Sequence, residues 1–141
     1  MVTKYWIGSH TTHRLRYHIV VLPKYRKRVL KGKIATRVKQ LFFQACQVNK
    51  WWIDELNVQP DHVHMLIQTK PRESVAEVVQ ILKGGSSKVI RLEFSDLEEY
   101  LWGDSFWSDG YFAETVGIVN ESVIKDYIKN QHDESISLDL S

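Results

Sequence analysis

The sequence predicts an α+β fold of the ferredoxin-like (RRM-like) split β-α-β type, with helices on one face of an antiparallel sheet. Three observations predict it. Four short stretches carry alternating or continuous apolar residues, which is typical of strands. Two longer stretches repeat apolar residues at helical spacing. Their order along the chain is strand, helix, strand, strand, helix, strand, and one further helix follows.

The first half of this pattern contains a strand, a helix and a hairpin. Residues 13–23, HRLRYHIVVLP, alternate and then become continuously apolar before a proline, which favours a strand. Residues 33–49 carry apolar side chains every three or four positions, so they predict an amphipathic helix. Residues 51–59 and 62–69 are rich in aromatic and β-branched side chains, and the Pro-Asp pair between them predicts a turn. The strand over 62–69 is third in the chain and is therefore expected at the centre of the sheet.

The second predicted helix contains an unusual glycine pair. Ser74 can cap this helix, which is predicted to continue to about Leu92. Within it, residues 83–88 are KGGSSK, and two adjacent glycines cost about 2 kcal/mol relative to alanine inside a helix. The run lacks the spacing of a phosphate-binding P-loop. We therefore expect a partner to approach the helix backbone closely at this point.

The last part of the chain predicts a strand, a helix and a tail. Residues 106–117, FWSDGYFAETVG, are typical of a turn followed by a strand. Asn120 can cap a C-terminal helix over residues 121–131. Residues 133–141 are polar and acidic, and we expect them to form a loose tail. Residues 1–141 together are expected to form a single domain.

Composition limits the classes of protein to consider. The chain has 141 residues, 43% of them apolar, which suits one globular core. Its lone cysteine, Cys46, excludes an intramolecular disulfide framework. Neither a signal-peptide pattern nor an apolar run of about 20 residues is present. We therefore expect a cytoplasmic protein that does not enter a membrane.

Charge is strongly segregated along the sequence. Residues 1–50 contain twelve Lys and Arg and no acidic residue, whereas residues 51–141 contain seven Lys and Arg and all seventeen acidic residues. Such a basic segment is typical of proteins that bind the phosphate backbone of nucleic acids. The alternative is a basic surface that pairs with the acidic part of the chain in the fold.

Two histidines in the third predicted strand could bind a metal ion. His62 and His64 share one face of a strand, roughly 6.6 Å apart along it, while Val63, Met65 and Ile67 face the other way. Both imidazoles can thus approach one ion, but two imidazoles do not complete a site for any common metal, so a further ligand must come from elsewhere. The alternative is a pair of ordinary strand histidines that face solvent.

The C-terminal helix offers a nucleophile and a ligand. Tyr127 and Gln131 stand four residues apart, on one helical face. A phenol has a pKa of about 10, so it needs a base or a nearby cation to act as a nucleophile at neutral pH. A metal held by His62 and His64 would supply that cation, with the Gln131 amide oxygen as a further ligand. The alternative is that Tyr127 is a half-buried core residue.

Five segments of the sequence resemble one known family. The chain is similar to the small single-tyrosine HUH transposases of the insertion-sequence two-hundred and six-oh-five group. A histidine, bulky hydrophobic residue, histidine motif alone has little specificity, but the five segments in this order are highly specific. They are YHIVVLPKYRKRVL at 17–30, PDHVHMLI at 60–67, LKGGSSKVIR at 82–91, FWSDGYFAETVG at 106–117 and VIKDYIKNQ at 123–131.

The resemblance implies a role for each matching residue. His62 and His64 match the metal-binding pair, Tyr127 matches the nucleophile on the C-terminal helix, and Gln131 matches a further metal ligand. The family binds Mg²⁺ or Mn²⁺ and cleaves and rejoins single-stranded DNA at element ends marked by hairpins, through a 5′-phosphotyrosine intermediate. Its members are homodimers with a shared active site. These properties are expectations for the present chain.

Candidate DNA contacts come from the basic segment and the glycine-rich run. Tyr25 is expected to stack on an unpaired base, unless it is a plain surface aromatic residue. By contrast, His13 and His18 on the first predicted strand are expected to be structural or solvated. The full candidate set is Lys24, Tyr25, Arg26, Lys27, Arg28, Lys31, Lys33, Lys83 and Ser86.

Two alternatives to a mobile-element transposase remain open on the sequence. A non-catalytic module that binds single-stranded nucleic acid would use a similar sheet, but with aromatic residues on the exposed face of its central strands. A domesticated nuclease that acts on chromosomal repeat hairpins would keep the same chemistry and differ only in its DNA substrate.

Overall fold

The computed structural model describes residues 6–7, 12–13, 15–70, 72–116 and 129. Up to residue 116 they form six strands, two long helices and one short helix. Turns of 3-10 helix occur at Lys24–Arg26 and Ser95–Leu97. The remaining elements are β1 (Trp6–Ile7), β2 (Thr12–His13), β3 (Arg16–Val21), α1 (Gly32–Asn49), β4 (Trp52–Gln59), β5 (His62–Gln68), α2 (Val75–Glu93), α3 (Glu98–Leu101) and β6 (Phe112–Thr115).

The main sheet has four antiparallel strands in the order β4-β5-β3-β6. This is the arrangement of the split β-α-β fold, so the predicted fold class and the central place of the histidine strand are confirmed. β1 and β2 form a separate two-stranded antiparallel sheet, which the sequence did not predict. His13 lies in β2, so its predicted place in the first strand of the main sheet is wrong. That strand begins at Arg16, opposite Gln68 at the end of β5.

The two long helices cover one face of this sheet. Val63, Met65 and Ile67 of β5 point to that face and are fully buried, as predicted from strand alternation. Their partners are apolar residues of both helices and of β3: Ile19, Val21, Val38, Phe42, Cys46, Val78, Leu82 and Ile90. Each such side chain contributes roughly 1.5–3 kcal/mol when it is fully buried. This face of the sheet therefore forms the hydrophobic core.

The structure explains where α2 begins but not why it contains two glycines. The Oγ of Ser74 accepts a hydrogen bond from the backbone N–H of Glu77 at 3.1 Å, which is the predicted N-cap. Gly84 and Gly85 have no atom within 4 Å of where a Cβ would stand. Packing among the described residues thus does not require glycine there, and a close approach of DNA remains a prediction.

The β4–β5 hairpin fixes the register of the histidines. Its two-residue turn is Pro60-Asp61, with Gln59 opposite His62. A bulge in β4 falls at Asp54, and its carboxylate lies 3.1 Å from the Nε of Arg16. Both side chains are buried. Because a bulge inserts one extra residue, it re-aims this carboxylate toward β3 while the flanking residues keep their pairing.

Of the predicted C-terminal helix, the structure describes Lys129, which is helical. Tyr127, Gln131, the remainder of 121–131 and the predicted tail over 133–141 lie outside the described residues. None of the helices in the described ranges has the length and apolar content that a bilayer crossing requires. That residues 1–141 form one domain stays a prediction.

Candidate active site

The sheet face opposite α1 and α2, which we call the histidine face, is rich in polar side chains. His62 and His64 on this face are fully buried, so the alternative of two ordinary strand histidines that face solvent is wrong. The ammonium of Lys129 lies 3.2 Å from Oε1 of Glu55 on β4, the strand that pairs with β5. Strand pairing and alternation place the following residues on this face: Arg16, His18, Val20, Asn57, Gln59, His62, His64, Leu66, Gln68, Phe112 and Glu114.

The structure brings the two strand histidines together. The ring centroids of His62 and His64 are 4.6 Å apart, and the ring planes are inclined by 80°. Within the described ranges, no group of three or more His, Cys, Asp or Glu side chains is placed to hold a metal ion. A site built on this pair thus needs a ligand of another type or from the part of the chain outside those ranges, where Gln131 and Tyr127 lie.

Asp61 fixes the proton on the His62 ring. Oδ1 of Asp61 accepts a hydrogen bond from Nδ1 of His62 at 2.6 Å. The lone pair of the neutral ring is then on Nε2, which is buried and has no hydrogen-bond partner among the described residues. A carboxylate behind a histidine is the usual arrangement at metal sites. A buried, unsatisfied imidazole nitrogen of this tautomer fits a divalent cation.

Arg26 completes the support of His62. Its Nε donates a hydrogen bond to Oδ2 of Asp61 at 2.9 Å, so one carboxylate holds both side chains. Burial opposes ionisation of Asp61, but hydrogen bonds and charge from His62 and Arg26 lower its pKa below the ordinary value. The carboxylate therefore stays ionised and can only accept hydrogen bonds at neutral pH.

Burial keeps the two histidine rings neutral. It lowers the pKa of His62, against the opposing effect of Asp61. Burial lowers the pKa of His64 to about 3. Because both rings are uncharged at neutral pH, each keeps a lone pair that a cation can use.

A third histidine, missed in the sequence, belongs to this site. Nε2 of His18 lies 3.3 Å from Nδ1 of His64, and Nδ1 of His18 lies 3.3 Å from Oε1 of Glu114. His18 was expected to be structural or solvated; it is buried and contacts His64 of the predicted metal pair. Only the register of β3 against β5 reveals this contact, and a single sequence does not specify that register.

The turn at Lys24–Arg26 presents an aromatic ring to solvent. Tyr25 and Arg26 have positive φ angles of 61° and 50°, which non-glycine residues adopt at a cost of about 1–3 kcal/mol each. The turn is held by a hydrogen bond of 2.8 Å from Lys24 N to Phe106 O. The Tyr25 side chain is 68% exposed. A base of a single strand can therefore reach the ring of Tyr25.

The candidate cations of the basic segment fall into two groups. Nζ of Lys24 lies 3.3 Å from Asp104 and 3.5 Å from Asp109, and Arg26 is paired with Asp61 as described above. For Lys24 and Arg26 the structure therefore agrees with the alternative that basic residues pair with the acidic part of the chain. The remaining candidates are exposed at the surface: Lys27, Arg28, Lys31 and Lys33.

Lys83 and Ser86 are engaged inside the fold. Nζ of Lys83 donates to three carbonyl oxygens of residues 108–110, at 2.5, 3.1 and 3.3 Å. Ser86 is 4% exposed, and its Oγ accepts a hydrogen bond from Nε1 of Trp107 at 2.9 Å. Both side chains hold α2 against the segment before β6. We therefore remove Lys83 and Ser86 from the set of candidate DNA contacts.

Comparison with known proteins identifies relatives along nearly the whole chain. The family model described as "Transposase IS200 like" matches residues 11–131. The ISDra2 transposase TnpA of Deinococcus radiodurans is 32% identical over 126 residues, which are 89% of this chain and 90% of that protein. The transposase for insertion sequence element IS200 of Salmonella typhimurium is 36% identical over 126 residues, covering 89% and 82% of the two chains.

Two solved structures of transposases have a fold similar to that of this chain. A crystal structure of a protein from Deinococcus radiodurans R1, described as a transposase, superposes with a TM-score of 0.73 at 30% identity, covering 92% of this chain and 99% of that one. A REP-associated tyrosine transposase bound to a REP hairpin superposes with a TM-score of 0.62 at 12% identity, covering 91% and 69% of the two chains. The second likeness concerns the fold alone.

Acid should destabilise the folded protein through His64. Its pKa is about 3 in the fold and about 6.5 when unfolded, so below pH 6.5 the unfolded chain takes up a proton that the folded chain does not. The free energy of unfolding should therefore be highest above pH 6.5 and fall by roughly 1.4 kcal/mol per pH unit below it from this group. Urea unfolding in EDTA at pH 7.5, 6.5 and 5.5 measures the slope. An equal slope in native protein and His64→Gln would contradict the assignment.

Lys83, which is hydrogen-bonded inside the fold, and Lys31, which is exposed, should respond differently to substitution by Met. Lys83→Met should lower the free energy of unfolding by roughly 1.5–3 kcal/mol, because it removes charge-assisted hydrogen bonds to carbonyls. The matched variant Lys31→Met should change stability by less than about 0.5 kcal/mol. It should instead reduce the salt dependence of single-strand binding by about 0.7 in log–log slope. Urea unfolding and binding titrations at several salt concentrations measure both effects, and a stable Lys83→Met that loses binding would reverse the assignment.

Proposed function

The chain belongs to the IS200-like transposase family, and we propose on this basis that it cleaves and rejoins single-stranded DNA with Tyr127 as the nucleophile. It is a DNA-cleaving transposase; the single-tyrosine HUH mechanism is the proposal. The observation that supports it best is the buried Nε2 of His62, which lacks a hydrogen-bond partner in the described ranges, on a ring whose centroid is 4.6 Å from that of His64. The family match and this arrangement point to the same chemistry.

We propose that His62, His64 and Gln131 hold Mg²⁺ or Mn²⁺. Such an ion, when bound, polarises a phosphoryl oxygen and offsets the charge that develops in an in-line displacement. The neutral imidazoles supply nitrogen ligands, and Asp61 keeps the His62 ring in the orientation that exposes Nε2. The amide oxygen of Gln131 supplies a hard ligand of the kind these cations prefer.

The proposed reaction conserves the energy of the phosphodiester bond. The Oη of Tyr127 loses its proton and attacks the scissile phosphorus, and the bond from phosphorus to the 3′ oxygen breaks. The 3′ oxygen takes up a proton and leaves as a hydroxyl, while the 5′ phosphate stays on Tyr127 as a phosphotyrosine. The 3′ hydroxyl of another DNA end can reverse the step and release the phenol. No nucleotide cofactor is needed.

One contact supports placing Tyr127 near the histidine face. Lys129 is two residues away from both Tyr127 and Gln131, and its ammonium pairs with Glu55 on β4. Two residues of chain span at most about 7 Å, and on this ground we propose that Tyr127 and Gln131 act at the histidine face. The contact also joins the predicted nucleophile helix to the strand that pairs with β5.

We propose that the substrate is a single strand with a hairpin at the element end. The relative with 12% identity binds a REP hairpin, and the present chain shares its fold. Exposed cations beside the first 3-10 turn suit phosphates, and the exposed ring of Tyr25 suits an unpaired base, worth roughly 1–3 kcal/mol. The proposed phosphate contacts are Lys27, Arg28, Lys31 and Lys33.

A non-catalytic binding module fits the sheet less well. Modules that bind bases on such a sheet carry aromatic residues on the open face of the central strands. Here β3 and β5 place Arg16, His18, His62 and His64 on the histidine face, and these side chains are buried. The central strands thus offer imidazoles in a polar network rather than a platform for stacking.

Tyr127→Phe should abolish covalent attachment to DNA. In the presence of Mn²⁺ or Mg²⁺, native protein should form an adduct with single-stranded hairpin oligonucleotides taken from the flanks of its gene, and EDTA should prevent it. Phe keeps the ring but lacks the nucleophilic oxygen, so binding of the oligonucleotide should be unchanged while the adduct disappears. Denaturing gels with end-labelled DNA detect the adduct, and a mobility shift measures binding.

His62→Ala provides the matched control for this experiment. It should lose the adduct and also metal binding, whereas Tyr127→Phe should keep metal binding. An adduct that persists in Tyr127→Phe would refute the assigned nucleophile. If native protein binds every flank and never forms an adduct, the chain is a binding module or an inactive descendant of the family.

The homodimer with a shared active site is also a proposal, and a mixing experiment tests it. His62→Ala and Tyr127→Phe, each inactive alone, should regain activity when co-expressed and purified through two different tags. In a mixed dimer one site combines intact histidines with an intact tyrosine from the other subunit. The mixed dimer selected by the two tags should therefore recover about half of native cleavage, because one of its two sites is intact. Absence of recovery in a confirmed mixed dimer would show that the histidines and tyrosine of one subunit act together.

A further inference from the structure

A carboxylate and two imidazoles on three neighbouring strands contact one another in series across the histidine face. Oε1 of Glu114 on β6 lies 3.3 Å from Nδ1 of His18 on β3, and Nε2 of His18 lies 3.3 Å from Nδ1 of His64 on β5. His18 and His64 are buried, whereas the side chain of Glu114 is 48% exposed. The series of contacts from Glu114 through His18 to His64 thus runs from the rim of the sheet to the proposed metal site.

We propose that His18 is a positioning residue that, supported by Glu114, fixes His64 in the tautomer whose Nε2 can bind the metal. The inference rests on the proposed function only in taking His64 as a metal ligand. Its structural content, which nitrogen of His64 carries the proton, holds in the metal-free protein.

Counting protons gives the tautomer of each ring. A carboxylate can only accept hydrogen bonds, so Nδ1 of His18 donates to Glu114. With one proton on the His18 ring, its Nε2 carries the lone pair and accepts from Nδ1 of His64. The lone pair of His64 is left on Nε2. Asp61 imposes the same tautomer on His62 by a separate hydrogen bond.

The two rings have the relative orientation that this hydrogen bond needs. Their planes are inclined by only 13°, and their centroids are 5.6 Å apart. The centroid distance exceeds the Nε2–Nδ1 distance of 3.3 Å by 2.3 Å, which is roughly the sum of the centroid-to-nitrogen distances of two imidazoles. The two nitrogens consequently lie close to the line between the ring centres. The rings meet end to end, with the N–H of one aimed at the lone pair of the other.

The wider packing leaves His18 few other roles. Its ring meets the edge of Phe112 at a centroid distance of 5.7 Å, and this contact holds it from the side of β6. Both ring nitrogens are already used by Glu114 and His64. Among the described residues, His18 is thus placed to orient the proposed metal ligand His64 rather than to bind the ion itself.

Two substitutions of His18 separate orientation from packing. His18→Phe fills the space but removes both nitrogens, whereas His18→Gln offers an amide oxygen that can accept from Nδ1 of His64. In native protein without metal, long-range ¹H–¹⁵N spectra should show the His64 proton on Nδ1. His18→Phe should give a mixture of the two tautomers, and His18→Gln should restore the native form.

Metal affinity provides the second readout. Loss of an orienting partner behind a histidine ligand typically weakens metal binding 10–100-fold. Titration with Mn²⁺ should show a loss in that range for His18→Phe and a smaller loss for His18→Gln. Glu114→Ala should shift both readouts in the same direction by less, because its carboxylate is half exposed. His62→Ala establishes that the Mn²⁺ measured is at this site.

The outcomes separate this inference from the proposed function. If His18→Phe keeps the native tautomer and native Mn²⁺ affinity, His18 only fills space and the inference is overturned. If native protein has the Nδ1–H tautomer, lost in His18→Phe, but binds no Mn²⁺, the proposed metal site fails and the positioning of His64 stands. Should His18→Phe fail to fold, His18→Gln and Glu114→Ala decide by the same spectra, and unchanged spectra in Glu114→Ala would overturn the role of the carboxylate.

Discussion

The alternation of side chains along β5 is the constraint on which the rest of the structure depends. This strand is hydrogen-bonded on both sides, so each of its seven residues faces either the helices or the histidine face. Val63, Met65 and Ile67 supply the core, and His62 and His64 supply the site. A slip of one residue would exchange the two sets. Stability and chemistry therefore require the same register, which the Pro60-Asp61 turn and the two neighbouring strands fix.

A buried polar face is stable only when its groups are partnered. Unsatisfied buried polar groups cost roughly 1–3 kcal/mol each. The histidine face meets this requirement with separate small networks. Arg16 and Asp54 pair at one end of the sheet, Arg26 and Asp61 support His62, and Glu114 with His18 supports His64. Within the described ranges, Nε2 of His62 and Oε1 of Gln68 are buried without a hydrogen-bond partner, and Nε2 of His62 is the atom that a metal ion would satisfy.

Periodicity and local chemistry were sufficient to predict the main elements. The two- and 3.6-residue repeats located four strands and two helices, and the Ser74 cap and the Pro-Asp turn lie where expected. β1 and β2 are two residues each, too short for any repeat to be visible. Strand alternation and the family resemblance singled out His62 and His64, but the contact of His18 with His64 depends on the pairing of β3 with β5. The contacts of Lys83 with Ser108 and of Ser86 with Trp107 join residues 20 or more positions apart, which spacing alone does not reveal.

Asp61 links the proposed DNA-binding turn to the proposed metal site. One of its oxygens holds Nδ1 of His62 and the other accepts from Arg26, whose backbone has a φ angle of 50°. A left-handed conformation in a non-glycine residue persists only when the surrounding contacts outweigh its cost. Here the ion pair with Asp61 supplies such a contact, and it also keeps Tyr25, the preceding residue, in an exposed position. The carboxylate of Asp61 thus contributes both to the orientation of His62 and to the shape of the turn at Lys24–Arg26, so a change at Asp61 acts on both at once.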